Sequence, residues 1–152
     1  MADHAEIAAV LPHRHPILLV DLVLDLVPFE SAVGIKAISG SEACYGGLPE
    51  LAPPAALEYP ASLMLESFVQ TGAFLWLSSL EQADARPPGT LVLTVLRDVV
   101  VHGAARPGEL LRNTVRILRR MPEAAMLTGQ IHAGDRLLAE VGSALAAIRP
   151  VD

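Results

Sequence analysis

Apolar residues run almost unbroken from Ile17 to Val27, interrupted only by Asp21 and Asp25. Leucine and valine at that density predict a long strand. Pro28-Phe29-Glu30-Ser31 predicts a turn, and Ala32 to Ser39 a second strand. Ahead of them, Asp3 to Val10 predicts a short helix that stops at Leu11-Pro12. The stretch from Gly40 to Glu58 is different, because it holds Gly40, Gly46, Gly47, Pro49, Pro53 and Pro54. Glycine and proline at this density predict a loop, and loops this long are usually functional or disordered.

Pro60 suits the first turn of a helix. From about Ala61 to Leu80 the chain is apolar on most sides, which predicts a helix buried nearly all round. Gln82 to Gly89, with Pro87-Pro88, reads as a polar loop. Five apolar segments follow: Thr90–Leu96, Asp98–Ala105, Glu109–Leu118, Ala124–Ile131 and Arg136–Ile148. Short breaks at Pro107-Gly108, Met121-Pro122 and Gly134-Asp135 predict an antiparallel meander. Two strands, a long buried helix and a run of strands make an α+β chain, with the sheet packed on one central helix.

Composition narrows the picture. A chain of 152 residues is expected to form one domain, 1–152. Hydrophobic residues make up 52% and charged residues only 18%, which points to apolar surface covered by a partner. The formal net charge of -6 argues against nucleic acid, whose phosphates need clustered cations. The only lysine is Lys36, and the only cysteine is Cys44, so no internal disulfide forms. Met1 to Val10 lacks a basic n-region and does not read as a signal peptide. The stretch Ser62 to Leu80 carries Glu66, Ser67, Gln70 and Thr71 in its middle, which is costly in a bilayer. A cytoplasmic protein without membrane spans is expected.

Three stretches resemble the bacterial 3-hydroxyacyl-acyl-carrier-protein dehydratases. Leu11-Pro12-His13-Arg14-His15-Pro16-Ile17-Leu18-Leu19-Val20-Asp21 is similar to that family's opening motif. Tyr59 to Gly72 resembles the helix that bears a catalytic carboxylate, here Glu66, with a glutamine, Gln70, four residues on. Arg106-Pro107-Gly108-Glu109-Leu110 and Ala133 to Glu140 extend the likeness over nearly the whole chain. The resemblance implies a hotdog fold working as a dimer or a trimer of dimers. It implies syn elimination of water from a 3-hydroxyacyl thioester on an acyl carrier protein's phosphopantetheine arm. A histidine of one subunit takes the α-proton, and a carboxylate of the other helps expel the hydroxyl. The resemblance implies no cofactor. It places Tyr45, Gly47, Tyr59 and Ala61 beside the substrate.

The family's histidine lies in the loop before the helix, and this loop has none. Leu48 takes its place when aligned from the left, and Ala52 when aligned from the helix. Leucine and alanine take no proton. The five histidines are His4, His13, His15, His102 and His132. Glu66, set among Leu63, Leu65, Phe68 and Val69, is expected to be desolvated with a raised pKa, as suits a general acid. Gln70, one turn on, is placed to orient it. A structural pairing in the core is the plainer alternative for Glu66.

His13 and His15 form an H-x-H pair without a third ligand, so no metal is expected. Cys44 reads as a buried small hydrophobe, and Phe74 and Trp76 as core. Arg112, Arg116 and Arg120 are expected on one strand face, where they would meet an acidic carrier protein or the pantetheine phosphate, or simply water. Three functions remain open. The chain is a subunit that supplies Glu66 to a homologous, histidine-bearing partner, resembling the dehydratase pairs of aryl-polyene and polyketide pathways. Alternatively it is a non-catalytic or acyl-binding partner, or a hotdog thioesterase.

Overall fold

The computed structural model describes residues 1–150. Val151 and Asp152, the end of the expected 1–152 domain, lie outside the described residues. The elements are α1 (His4–Val10), β1 (Leu22–Val27), β2 (Ser31–Ala37), α2 (Ala61–Gln82), β3 (Thr90–Val101), β4 (Leu110–Met121), β5 (Ala124–Ala133) and β6 (Arg136–Arg149). Among the described residues six strands form one sheet in the order β1-β2-β4-β5-β6-β3, and every pairing is antiparallel. The long helix α2 packs on the face made by β1, β2, β4 and β5. This is the α+β hotdog arrangement.

Every residue of α2 from Ser67 to Leu80 is buried. Phe68, Leu75, Trp76 and Leu77 meet Leu111, Leu127 and Ile131 of the sheet in one apolar cluster. Burying each large side chain of this kind contributes about 1.5–3 kcal/mol. The helix hydroxyls do not compete with that packing, because they bond to its own carbonyls. Ser67 donates to Met64 O at 2.7 Å, Thr71 to Ser67 O at 2.9 Å and Ser78 to Phe74 O at 2.6 Å. Two glycines set how close helix and sheet come. A Cβ on Gly34 of β2 would lie 2.3 Å from Thr71 Oγ1, and one on Gly72 would lie 2.5 Å from Leu127 Cδ1.

The sheet departs from the expected strands in two places. The strand predicted from Ile17 begins only at Leu22. Arg14 O accepts from the amides of Ile17 and Leu18, which turns the chain, and a helix side chain then takes the backbone of Ile17 and Leu19. The segments Thr90–Leu96 and Asp98–Ala105 form one strand ending at Val101. Asp98 keeps the ladder going at φ +53°, opposite Gly142, whose missing side chain leaves room for it.

Nor is the sheet a simple meander. β3 pairs with β6, not with β4, and so takes the far edge. The segment from β3 to β4 crosses back, bonding Tyr59 N to Ala105 O at 2.7 Å and Ile38 N to Glu109 O at 3.0 Å. At the opposite edge, β1 is met by Ala2 through a bridge to Val23. β3 carries exposed Leu93, Val95, Val100 and Val101. No helix of the described residues is long and apolar enough to cross a membrane.

Candidate functional site

Glu66 lies in the second turn of α2, ahead of the fully buried stretch. Its side chain is 29% exposed, so it is not sealed in apolar company as expected. The polar contacts of its carboxylate fall on one oxygen. Gln70 Nε2 donates to Glu66 Oε1 at 2.7 Å, and His13 Nε2 stands 3.5 Å from the same atom. Gln70 is fully buried and does more than touch Glu66. Its Nε2 also donates to Ile17 O at 2.7 Å, and its Oε1 accepts from Leu19 N at 2.8 Å. One side chain thus fixes the opening motif to the helix and grips the carboxylate.

Sequence spacing does not mark His13 as a neighbour of Glu66; it marks only the H-x-H pair with His15. Its Nδ1 is buried with no partner, while His15 is exposed. Among the described residues there is no group of three or more metal-ligating side chains. Adjacency to Glu66 depends on the turn at Arg14 and the Gln70 clamp, a contact 53 positions apart that spacing does not reveal.

The loop before α2 folds as two short 3₁₀ turns, Ala43–Tyr45 and Pro54–Leu57. Lys36, buried, anchors it by donating to Glu42 Oε1 at 2.8 Å and to Ala37 O at 2.7 Å. Tyr45 Oη donates to Leu57 O at 3.2 Å, which joins the two turns. Burial, then the neighbouring Cys44 and Glu42, push the Tyr45 phenol up to about 12. The Cys44 thiol is raised by burial and by the Glu42 charge, which leaves it a poor nucleophile. Leu48 and Gly47 are exposed, and Gly47 takes φ +83°, a conformation that favours glycine.

The residues expected near substrate do not converge on one open surface in this chain. Tyr45 and Tyr59 are buried, at 8% and 2% exposure. Burial, and then the nearby Glu42 carboxylate, also raise the Tyr59 phenol. Tyr59 and Ala61 line a hollow with Pro60, Val101, His102 and Gly103, and Glu66 is not part of its lining.

The arginines also separate. Arg112 and Arg116 are exposed and alternate with buried Leu111, Asn113 and Val115, so they point away from α2. A bulge between Ile117 and Arg119 breaks that alternation. Arg120 then pairs with buried Ala125, and its guanidinium lies 4.3 Å over the Phe29 ring. The expectation of one arginine face fails because the extra residue turns Arg120 to the other side.

The architecture is matched by chain after chain of known hotdog structures. The dehydratase heterocomplex ApeI:P from Xenorhabdus doucetiae superposes with a TM-score of 0.75, covering 94% of this chain and 90% of that chain at 15% identity. Sequence then supplies the family. A 3-hydroxyacyl-[acyl-carrier-protein] dehydratase FabZ of Caulobacter vibrioides is 35% identical over 138 residues, 91% of this chain and 83% of the relative. The FabZ of Campylobacter jejuni is 30% identical over 140 residues, 92% and 93% of the two chains. No protein-family model matches. The chain belongs to the FabZ family of 3-hydroxyacyl-[acyl-carrier-protein] dehydratases.

Proposed function

We propose that the chain is one subunit of a heteromeric cytoplasmic dehydratase acting on acyl-carrier-protein thioesters of polyketide, polyene or fatty acid synthesis. It supplies Glu66, and a homologous partner supplies the histidine. One observation carries this reading. The carboxylate is kept, anchored through Gln70 and open to solvent, while the loop that bears the family's base has none.

The chemistry needs two groups on the two reacting carbons of one substrate. The partner's histidine takes the α-proton, the electron pair forms the C=C bond, and the C3–O bond breaks. Glu66, protonated, gives its proton to the departing hydroxyl, and water leaves. Proton return from histidine to Glu66 resets the site. His13 does not replace the missing base. Groups that hold Cα and the C3 hydroxyl between them stand apart by the width of the substrate, with reacting atoms about 3–3.5 Å from each. His13 Nε2 is 3.5 Å from Glu66 Oε1, so the ring sits against the carboxyl rather than across a substrate from it.

The β3 edge supports a partner. Its backbone is unpaired on one side, and Leu93, Val95, Val100 and Val101 are exposed along it. An apolar open edge is a template for pairing with another chain. Tyr59 and Ala61 share their hollow with Val101 and His102, at the end of that edge, which supports an acyl site completed across the interface. Arg112 and Arg116, exposed on the outer face, remain candidates for the carrier protein.

Mixing this chain with a FabZ homologue that keeps its loop histidine tests the proposal. A stable mixed complex that dehydrates a 3-hydroxyacyl thioester on acyl carrier protein is expected. Homomeric assembly with full activity would overturn it.

A further inference from the structure

We infer that His13 is a positioning residue for Glu66, holding one carboxylate oxygen so that the other faces the leaving hydroxyl. The inference rests on the composite-site reading above and adds a residue to it.

The contacts are one-sided. Gln70 Nε2 and His13 Nε2 both approach Oε1, and among the described residues no hydrogen bond or ion pair falls on Oε2. A carboxyl gripped by one oxygen loses its rotational freedom about the terminal torsion, which is otherwise broad. The free oxygen is then the one able to carry the proton. The tautomer follows from burial. Nδ1 is buried without a partner, and a buried orphan N–H is rarer than an orphan lone pair. In the neutral ring the proton therefore belongs on Nε2, the nitrogen that faces Glu66.

His13 is itself held in place. Arg14 Nη1 donates to Leu11 O at 2.8 Å and to His13 O at 2.6 Å, which pins the backbone on both sides of the ring. Gln70 fixes the same segment at Ile17 and Leu19. The ring is 25% exposed, so it stands at the edge of the site and not in the core.

The test uses the mixed complex with a histidine-bearing FabZ homologue and measures kcat and KM separately. Losing a polar contact that orients the carboxyl is expected to cost roughly 10-fold in rate. His13→Leu is expected to lower kcat by that factor with KM nearly unchanged. His13→Gln, whose amide reaches the place of Nε2, is expected to restore most of the rate. His13→Asn, whose amide reaches only the place of Nδ1, is not. In a Glu66→Gln background, His13→Leu is expected to add no further loss.

An unchanged kcat in His13→Leu would overturn the assignment, as would equal damage by Gln and Asn, or a full additional loss in the Glu66→Gln background. If His13→Leu does not assemble, the Gln and Asn pair decides alone. The two readings fail separately. Glu66→Gln without effect sinks the composite site and the role of His13 with it. Glu66→Gln with a large effect and His13→Leu with none sinks the role of His13 only.

Discussion

Gln70 holds Glu66 and the opening motif with one amide, donating to Glu66 Oε1 at 2.7 Å and bonding the backbone of Ile17 and Leu19. The site and the fold therefore share a fastening. Gln70→Leu removes the partner of the buried Leu19 amide and one partner of the part-buried Ile17 carbonyl, and a buried orphan costs about 1–3 kcal/mol. A fall of roughly 1–3 kcal/mol in unfolding free energy is expected from denaturant titration, read as a lower midpoint at unchanged slope. A loss well under 1 kcal/mol would mean that the opening motif is held by other contacts.

Gly34 faces Thr71 so closely that a Cβ there would lie 2.3 Å from Thr71 Oγ1. That hydroxyl has little freedom to yield, since it donates to Ser67 O at 2.9 Å and sits 3.4 Å from Asn113 Nδ2. Gly34→Ala is expected to destabilise by about 1–3 kcal/mol, as for an overpacked core. Thermal unfolding at neutral pH checks it, and an unchanged Tm would show that β2 and α2 separate easily.

Acid should weaken the corner where β4 begins. The Glu109 carboxyl is held below its ordinary value of 4.5, first by the Arg106 backbone N–H and then by Arg136. The bonds are Arg106 N to Oε2 at 2.7 Å and Arg136 Nη2 to Oε1 at 2.5 Å. A carboxyl with a depressed folded pKa stabilises fully above its unfolded value and loses that contribution as pH falls through the folded one. Tm measured from pH 7 down to about 3 should fall less steeply in Glu109→Gln than in the parent. Identical slopes would show that this corner contributes nothing to acid sensitivity.

Much of the fold is legible in the sequence, and what is not has a physical reason. The apolar run from Ala61 to Leu80 marks α2 because a helix without a polar face must be buried, and the structure buries Ser67 to Leu80 completely. The strands were visible as segments, but not their order. Nothing local tells β3 to pair with β6 at a distance. Bulges were also hidden. The one between Ile117 and Arg119 separates Arg120 from Arg112 and Arg116, although period two places them together. At the site, Glu66 and Gln70 stood out through their helical spacing and the family motif. His13 did not, since its approach to Glu66 requires the turn at Arg14 and the Gln70 clamp.

The chain alone is expected to be a poor catalyst. Loss of a general base typically costs about 10²–10⁴ in rate. The purified single chain should therefore dehydrate a 3-hydroxyacyl thioester at least about 10²-fold more slowly than its mixed complex. A spectrophotometric assay of enoyl product checks this. Comparable rates would place a working base within this chain.

The most direct measurement is the dehydration rate of the mixed complex carrying Glu66→Gln. The change is nearly isosteric and removes only the ionisable group, so assembly, followed by size-exclusion chromatography, should be unaffected. The account predicts a rate loss of about 10²–10⁴, the usual cost of removing a general acid or base. An intact complex with an unchanged rate would show that Glu66 takes no part and that this subunit is a scaffold.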